Sequence, residues 1–157
     1  MNKKGFTLIE LLIVVAIIGI IAAIAIPNLM IALQKGKQKA TMGDMKTIGT
    51  ACGSYVTDWS FVPQVAAGSV RNLNTSWFIP FYVKLLPPTD AWGSEFQYNG
   101  GATDAADQDS YSIRSWGRDK TATAPAVPFI YDVTSLADFN KDIYFSDIFT
   151  VGPRVKR

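Results

Sequence analysis

Apolar residues are concentrated near the amino-terminal end of the chain. Within residues 6–26 only Thr7 and Glu10 carry polar side chains, and the apolar run continues to about residue 33. A helix over residues 11–33 would be about 35 Å long, enough to cross the hydrocarbon core of a bilayer. A charge at the middle of a bilayer costs about 2.5–3.5 kcal/mol, so Glu10 is a candidate functional residue.

The apolar pattern changes its period after this run. Apolar residues then recur at three- and four-residue spacing with polar residues between them, which predicts an amphipathic helix with one buried stripe. We therefore expect one long helix from about Phe6 to about Asp58, with an apolar half at residues 6–33 and an amphipathic half at residues 34–59. Its expected stripe consists of Met42, Met45, Ile48, Ala51, Cys52, Tyr55, Val56 and Trp59.

The remaining chain, residues 60–157, predicts a small globular head. Residues 60–86 show no regular period and are interpreted as a loop with a short helix or strand. Four later segments are rich in aromatic and β-branched residues and are bounded by turn residues, which favours strands. They are Glu95–Tyr98, Ser110–Trp116, Phe129–Val133 and Asp142–Thr150. An antiparallel sheet against the helix would bury both apolar faces, so the predicted fold class is α+β.

The amino-acid composition excludes several kinds of catalytic and metal-binding site. The formal net charge of +2 gives no argument for nucleic acid. The chain has no histidine, which excludes catalysis by Ser-His-Asp or Cys-His groups. Its single cysteine, Cys52, excludes an intrachain disulfide and a thiolate zinc cluster, and we interpret it as a small buried apolar residue. With no phosphate-binding glycine motif either, we predict that the protein is not an enzyme.

Three interpretations of the amino-terminal segment compete. A secretory signal peptide cleaved after Ala25 would leave residues 26–157 as a soluble exported domain, enzymatic or binding. A plain membrane anchor would leave Glu10 to reach the headgroups. The third interpretation depends on the six residues GFTLIE, Gly5 to Glu10, which follow a short basic leader and precede the apolar helix.

This motif closely resembles the prepilin processing motif of type IV pilins and pseudopilins. The resemblance implies a leader of residues 1–5, cleavage by a prepilin peptidase between Gly5 and Phe6, and N-methylation of Phe6. It also implies that Glu10 pairs with the amino group of a neighbouring subunit and sets register during assembly. A segment between Gly19 and Pro27 is expected to unwind when subunits pack in a filament.

Later motifs resemble the major pseudopilins of type II secretion systems. LPPTDAWGSEFQYN at residues 86–99 is similar to the family's Pro-x-Asp-x-Trp-Gly stretch, although Ala91 stands where proline is usual. DSYSIRSWGRDK and DFNKDIYFSD, residues 109–120 and 138–147, resemble two further elements. The resemblance implies a pilin-like fold and a calcium site with Asp119, Asn140 and Asp142 as ligands. Asp138 is a substitute ligand, and the backbone carbonyls of Ser115 and Trp116 are further donors, as suits Ca²⁺.

Taken together, these features predict a structural subunit of a periplasmic pseudopilus in type II protein secretion. The expected partners are further copies of the chain, minor pseudopilins, the inner-membrane assembly platform and the prepilin peptidase, with no nucleic acid. The expected location is the bacterial inner membrane, crossed once, with the head in the periplasm. The alternatives are a type IV pilin in a surface pilus for adhesion, motility or DNA uptake, and the soluble exported domain described above.

Overall fold

The computed structural model of the chain describes residues 5–65, 68–100, 111–122, 130–132, 136–146 and 150–154. Helix α1 spans Leu8–Trp59, close to the predicted bounds. Six strands follow: β1 Gly68–Ser69, β2 Gln97–Gly100, β3 Tyr111–Ser115, β4 Ile130–Asp132, β5 Ile143–Ser146 and β6 Thr150–Arg154. Two short 3₁₀ helices lie at Val70–Leu73 and Leu136–Asn140.

The strands form one sheet in the order β1-β2-β3-β5-β6-β4. Neighbouring strands are antiparallel, with Tyr98 opposite Ile113 and Arg114 opposite Tyr144, except that β4 runs parallel to β6. The α+β fold class is confirmed. The predicted antiparallel sheet is present in β1, β2, β3, β5 and β6, and β4 adds a parallel pairing that was not predicted. Of the segment expected as a strand at Asp142–Thr150, Ile143–Ser146 forms β5, and β6 begins at its last residue and pairs with β5.

The chain consists of two compact units, residues 1–35 and residues 36–157. In the first unit the described residues from Leu8 onward are helical, and the helix continues through Pro27. Most of its large apolar side chains are exposed; Leu8, for example, is 81% exposed. An apolar helix of this kind lacks a core partner within its own unit, as expected for a segment that packs against lipid or other subunits.

The second unit contains the hydrophobic core. Met45, Ile48 and Cys52 of the helix are fully buried, as the predicted stripe requires. Trp59 is an exception, because 57% of its surface is exposed. The head contributes the following fully buried apolar and aromatic side chains: Val62, Val70, Leu73, Phe78, Phe96, Tyr98, Ile113, Phe139 and Ile143.

Gly49 lies close to the sheet in the amphipathic half of the helix. Its carbonyl accepts a hydrogen bond of 2.9 Å from the Tyr111 hydroxyl. A β-carbon at Gly49 would overlap the ring of Phe145 on β5. Glycine at this position therefore allows the sheet to pack directly on the helix backbone.

Candidate functional site

The predicted cleavage site precedes the first helical turn. Gly5, Phe6 and Thr7 have no regular secondary structure, and α1 begins at Leu8. Phe6 is 74% exposed, and nothing lies within 4 Å of a β-carbon placed on Gly5. The peptide bond between Gly5 and Phe6 would therefore be accessible to a peptidase that needs an extended substrate.

Thr7 and Glu10 form a reciprocal cap on the first turn of α1. The Glu10 Oε2 atom accepts hydrogen bonds from the Thr7 backbone N–H at 2.8 Å and from its hydroxyl at 2.6 Å. The Thr7 Oγ1 atom accepts in turn from the Glu10 backbone N–H at 3.3 Å. This is the capping box, in which two side chains satisfy otherwise unpaired donors at a helix start. Sequence reasoning assigned Glu10 to assembly and missed Thr7, although Thr-x-x-Glu before an apolar run was a readable signal for the cap.

Helix α1 is long enough and apolar enough to cross a membrane by length and composition. Its apolar window lies near the amino terminus, and none of it is buried inside the protein. The core helix of a soluble protein would be mostly buried, so this exposure favours a membrane or polymer environment. Gly19 lies in this segment with open space around it, and Pro27 lies within the helix. Unwinding between them stays a prediction.

The segment at residues 88–94 forms a tight turn organised by Asp90. The buried Asp90 Oδ1 atom accepts from the backbone N–H groups of Trp92 at 2.9 Å and Ser94 at 2.8 Å. Its Oδ2 atom accepts from the Ser115 hydroxyl at 2.7 Å. The Thr41 hydroxyl of α1 accepts from the Ala91 N–H at 3.1 Å. The motif thus ties the helix, the turn and the end of β3 together.

The two segments predicted to bind calcium lie beside each other. The Arg118 N–H donates to the Phe139 carbonyl at 2.9 Å, which joins the turn after β3 to the second 3₁₀ helix. Gly117 permits this approach, since its φ is 68° and a β-carbon would lie 2.7 Å from the Lys141 carbonyl oxygen. The predicted spatial proximity of these segments is therefore present.

Each side chain proposed as a calcium ligand has one oxygen engaged in a contact within the chain. Asp142 is buried and accepts from Arg114 Nε at 2.7 Å, with a second contact from Arg114 Nη2. Arg118 Nε donates to Asn140 Oδ1 at 2.8 Å.

Lys141 Nζ lies 3.1 Å from Asp138 Oδ1. The exposed Asp119 accepts from the backbone N–H of Thr121 at 3.1 Å. Among the described residues no group of three or more acidic, histidine or cysteine side chains could hold a metal ion. In these contacts Arg114, Arg118 and Lys141 each occupy one side-chain oxygen of a candidate ligand, so they would compete with Ca²⁺ for Asp142, Asn140 and Asp138. Calcium binding stays a prediction of the resemblance.

Sequence reasoning also missed a surface cluster of aromatic side chains. It placed Trp59 in the core stripe and interpreted residues 75–86 as a cover for the core. In the structure the Tyr55 ring centroid lies 5.3 Å from that of Trp77 and 5.3 Å from that of Tyr82. Trp59 Nε1 donates to the Tyr82 hydroxyl at 3.0 Å. Phe81 is 79% exposed at the same place.

The comparisons with known proteins match both the amino-terminal segment and the part of the chain that follows it. The family described as "Prokaryotic N-terminal methylation motif" matches residues 1–26. The family described as "Type II secretion system (T2SS), protein G" matches residues 28–126, more than half of the chain. The chain belongs to the type II secretion protein G family.

Individual relatives carry the same description. The chain is 32% identical over 126 residues to a type II secretion system core protein G of Pseudomonas aeruginosa, covering 75% of this chain and 87% of that one. It is 34% identical over 105 residues to the protein of that name from Vibrio cholerae, covering 62% and 70%. A type IV major pilin protein PilA of Myxococcus xanthus is 51% identical over 57 residues, but this covers only 36% of the chain and 26% of the pilin. No solved structure matched.

Proposed function

We propose that the chain is a structural subunit of a periplasmic pseudopilus that serves type II protein secretion. A prepilin peptidase cleaves the precursor after Gly5, and the mature subunit waits in the inner membrane with its head in the periplasm. It then polymerises through the amino-terminal helix with further copies of itself. Minor pseudopilins and an inner-membrane assembly platform are its expected partners.

The observation that carries this proposal is the family match over residues 28–126 combined with the exposed apolar first half of α1. Exposed apolar surface contributes about 25 cal/mol per Å² when it is buried, so helices that leave the bilayer must pack on one another to stay stable. Polymer formation by the helix satisfies this requirement. The head unit is folded around its own core.

A deletion strain tests the proposal. Removing the chain from its native cells should stop export of folded proteins to the medium while leaving their delivery to the periplasm intact. Reintroduction of the wild-type chain should restore export. Normal export from the deletion strain would contradict the proposal.

The match to the Myxococcus pilin favours a second candidate function, a subunit of a surface pilus. Electron microscopy of intact cells separates the two. Long surface filaments that disappear in the deletion strain, with unchanged export, would assign the chain to a pilus. Loss of export without any surface filament in the wild type at its native level supports the pseudopilus.

A further inference from the structure

The aromatic cluster encloses an open cavity on the head unit. The cavity has a volume of about 600 Å³ and is lined by Tyr55, Asp58, Trp59, Trp77, Phe81 and Tyr82. Five of the six lining side chains are aromatic, and the sixth is a carboxylate. A second cavity of about 410 Å³ adjoins it and shares Asp58, Phe81 and Tyr82.

The rings are held in place by contacts that a simple core cover would not need. The Tyr55 and Trp59 ring centroids are 6.2 Å apart and nearly parallel, at 25°. Trp59 and Asp58 both hydrogen-bond the Tyr82 hydroxyl. The Trp59 indole and the Asp58 carboxylate are thus held against Tyr82 in the lining of the cavity. Phe81 and Trp59 remain largely exposed.

This composition selects a cation. An ammonium or guanidinium group over aromatic faces is attracted by the ring quadrupoles, and aromatic cages are the usual receptors for such groups. The carboxylate of Asp58 adds an opposite charge at the same place. An anionic occupant would be repelled by Asp58, and a purely apolar occupant would desolvate its carboxylate without adding a cation.

The same chain offers matching cations. Lys37 and Lys39 are exposed on α1, within the unit that carries the cavity. About 20 residues of helix separate them from Asp58, or about 30 Å at helical rise, so they do not reach the cavity of their own chain. A second copy displaced along the filament axis would bring its lysines there.

We propose that the cavity formed by Tyr55, Asp58, Trp59, Trp77, Phe81 and Tyr82 binds the Lys37–Lys39 segment of a second copy in the filament. The contact is heterologous, since two different surfaces of the same chain meet, and a contact of this type generates open helical assemblies. This contact adds to the packing of the apolar helices. This inference rests on the proposed function.

Cross-linking within native cells tests the contact directly. Paired variants Asp58→Cys with Lys37→Cys, and Asp58→Cys with Lys39→Cys, are treated with a short bismaleimide. Because each chain then carries both ends of the contact, at least one pair should yield a ladder of trimers and longer species. Single variants should stop at dimers. Pairing Asp58→Cys with Lys46→Cys, another exposed lysine of α1, is the matched control and should give no ladder.

Charge exchange tests the energetics. Asp58→Lys should lower filament yield about fivefold or more, as expected when a contact of about 1 kcal/mol is lost in each subunit. Adding Lys37→Asp and Lys39→Asp to the same chain should restore much of the yield. Asp58→Asn keeps the size and hydrogen-bonding capacity and should show an intermediate loss. Each variant should melt in detergent close to the wild-type temperature, because Asp58 is exposed and its hydrogen bond to Tyr82 is its only described contact within the chain.

The outcomes separate this proposal from the proposed function. If the wild-type chain forms no filaments in its native cells, the proposed function fails. If it forms filaments but neither lysine pair gives a ladder, the inference about the cavity fails alone. A ladder only with Lys46→Cys, or a loss in Asp58→Lys that the lysine exchange does not repair, also overturns it.

Discussion

Glu10 has an observed role in the helix cap and a predicted role in assembly, and single atoms of its carboxylate distinguish the two. Both hydrogen bonds from Thr7 end on the same carboxylate oxygen, Oε2. The capping role therefore needs one acceptor oxygen, whereas pairing with the amino group of a neighbouring subunit needs a negative charge. An unpaired charge taken out of water costs several kcal/mol, so the pairing would strongly favour one register.

The substitution Glu10→Gln distinguishes the two roles, because the amide retains the acceptor and loses the charge. We expect both Glu10→Gln and Glu10→Ala to be cleaved and held in the membrane. Because both lose the charge, filament yield should fall about tenfold or more, which corresponds to a loss of about 1.4 kcal/mol. Thr7→Val is the control for the cap alone and should retain most assembly. Filament yield by electron microscopy of isolated assemblies is the measurement. Wild-type yield from Glu10→Gln would contradict the charge role.

Cys52 shows how burial suppresses the reactivity of a residue. The thiol is fully buried in the helix–sheet core, and this burial raises its pKa to about 12. Because the thiolate is the nucleophile, the folded protein should react very slowly with iodoacetamide at neutral pH and rapidly once unfolded in guanidinium.

The same shift sets a pH dependence with a definite sign. The pKa in the folded state is raised above the unfolded value of 9.0, so the stabilisation is fully present below pH 9 and is lost as the pH rises towards about 12. Alkaline titration of the melting temperature checks this. Fast labelling of native protein at pH 7 would contradict the buried position of the thiol.

At the scale of elements, the packing of α1 on the sheet depends on the lack of a side chain at Gly49. Alanine is a better helix former than glycine by about 1 kcal/mol, so an exposed glycine in a helix is a site for stabilisation. At Gly49 the gain is opposed by overlap with Phe145, whereas Gly53 has nothing within 4 Å.

We therefore expect Gly49→Ala and Gly53→Ala to change stability in opposite directions. Gly49→Ala should lower the free energy of unfolding by about 1–3 kcal/mol, the usual cost of overpacking. Gly53→Ala, the matched control, should raise it by up to about 1 kcal/mol. Denaturant unfolding of the full chain in detergent measures both. Equal gains at the two positions would show that Phe145 moves aside at little cost.

A buried ion pair joins β3 to the residue that directly precedes β5. Asp142 is buried against Arg114, and the Arg114 guanidinium lies 5.1 Å from the centre of the Tyr144 ring. Removing one partner of a buried ion pair costs about 3–5 kcal/mol because the other charge is left unpaired. Arg114→Gln should approach the lower end of this range, since part of Arg114 remains exposed. Denaturant unfolding in detergent measures the loss, and wild-type stability in this variant would contradict the role of the pair.

Calcium is tested on the same loop. The family resemblance predicts that millimolar Ca²⁺ raises the melting temperature of the wild-type chain. Because Arg114, Arg118 and Lys141 each contact one of the candidate ligands, we expect instead that the melting temperature stays unchanged. Addition of a chelator is the control and should change nothing. A rise in melting temperature that the chelator removes would establish the calcium site that the family resemblance implies.

At the scale of the whole molecule, the first question is where the mature chain begins. Prepilin processing predicts that the protein isolated from its native membrane starts at Phe6, with a methyl group on the new amino terminus. Intact mass and amino-terminal sequencing measure this directly. A chain that starts at Ile26 would instead identify a cleaved signal peptide and would remove the apolar helix from the mature protein.

The sequence by itself determined the features whose parts lie close together along the chain. The GFTLIE motif, the apolar run and the three- and four-residue stripe of α1 all depend on neighbours within one or two helical turns, so helix bounds and family could be predicted. The Thr7–Glu10 cap belongs to this class as well. Its residues are three positions apart. The cap was not predicted because Glu10 was interpreted as an assembly residue.

The tertiary structure alone decided the features built from distant segments. The Arg114–Asp142 pair spans 28 residues, and the Trp59–Tyr82 contact spans 23. Both depend on strand register and on how the chain returns to the helix, which local pattern does not encode. For the same reason the parallel pairing of β4 with β6, the cations among the predicted calcium ligands and the aromatic cavity emerged only from the fold.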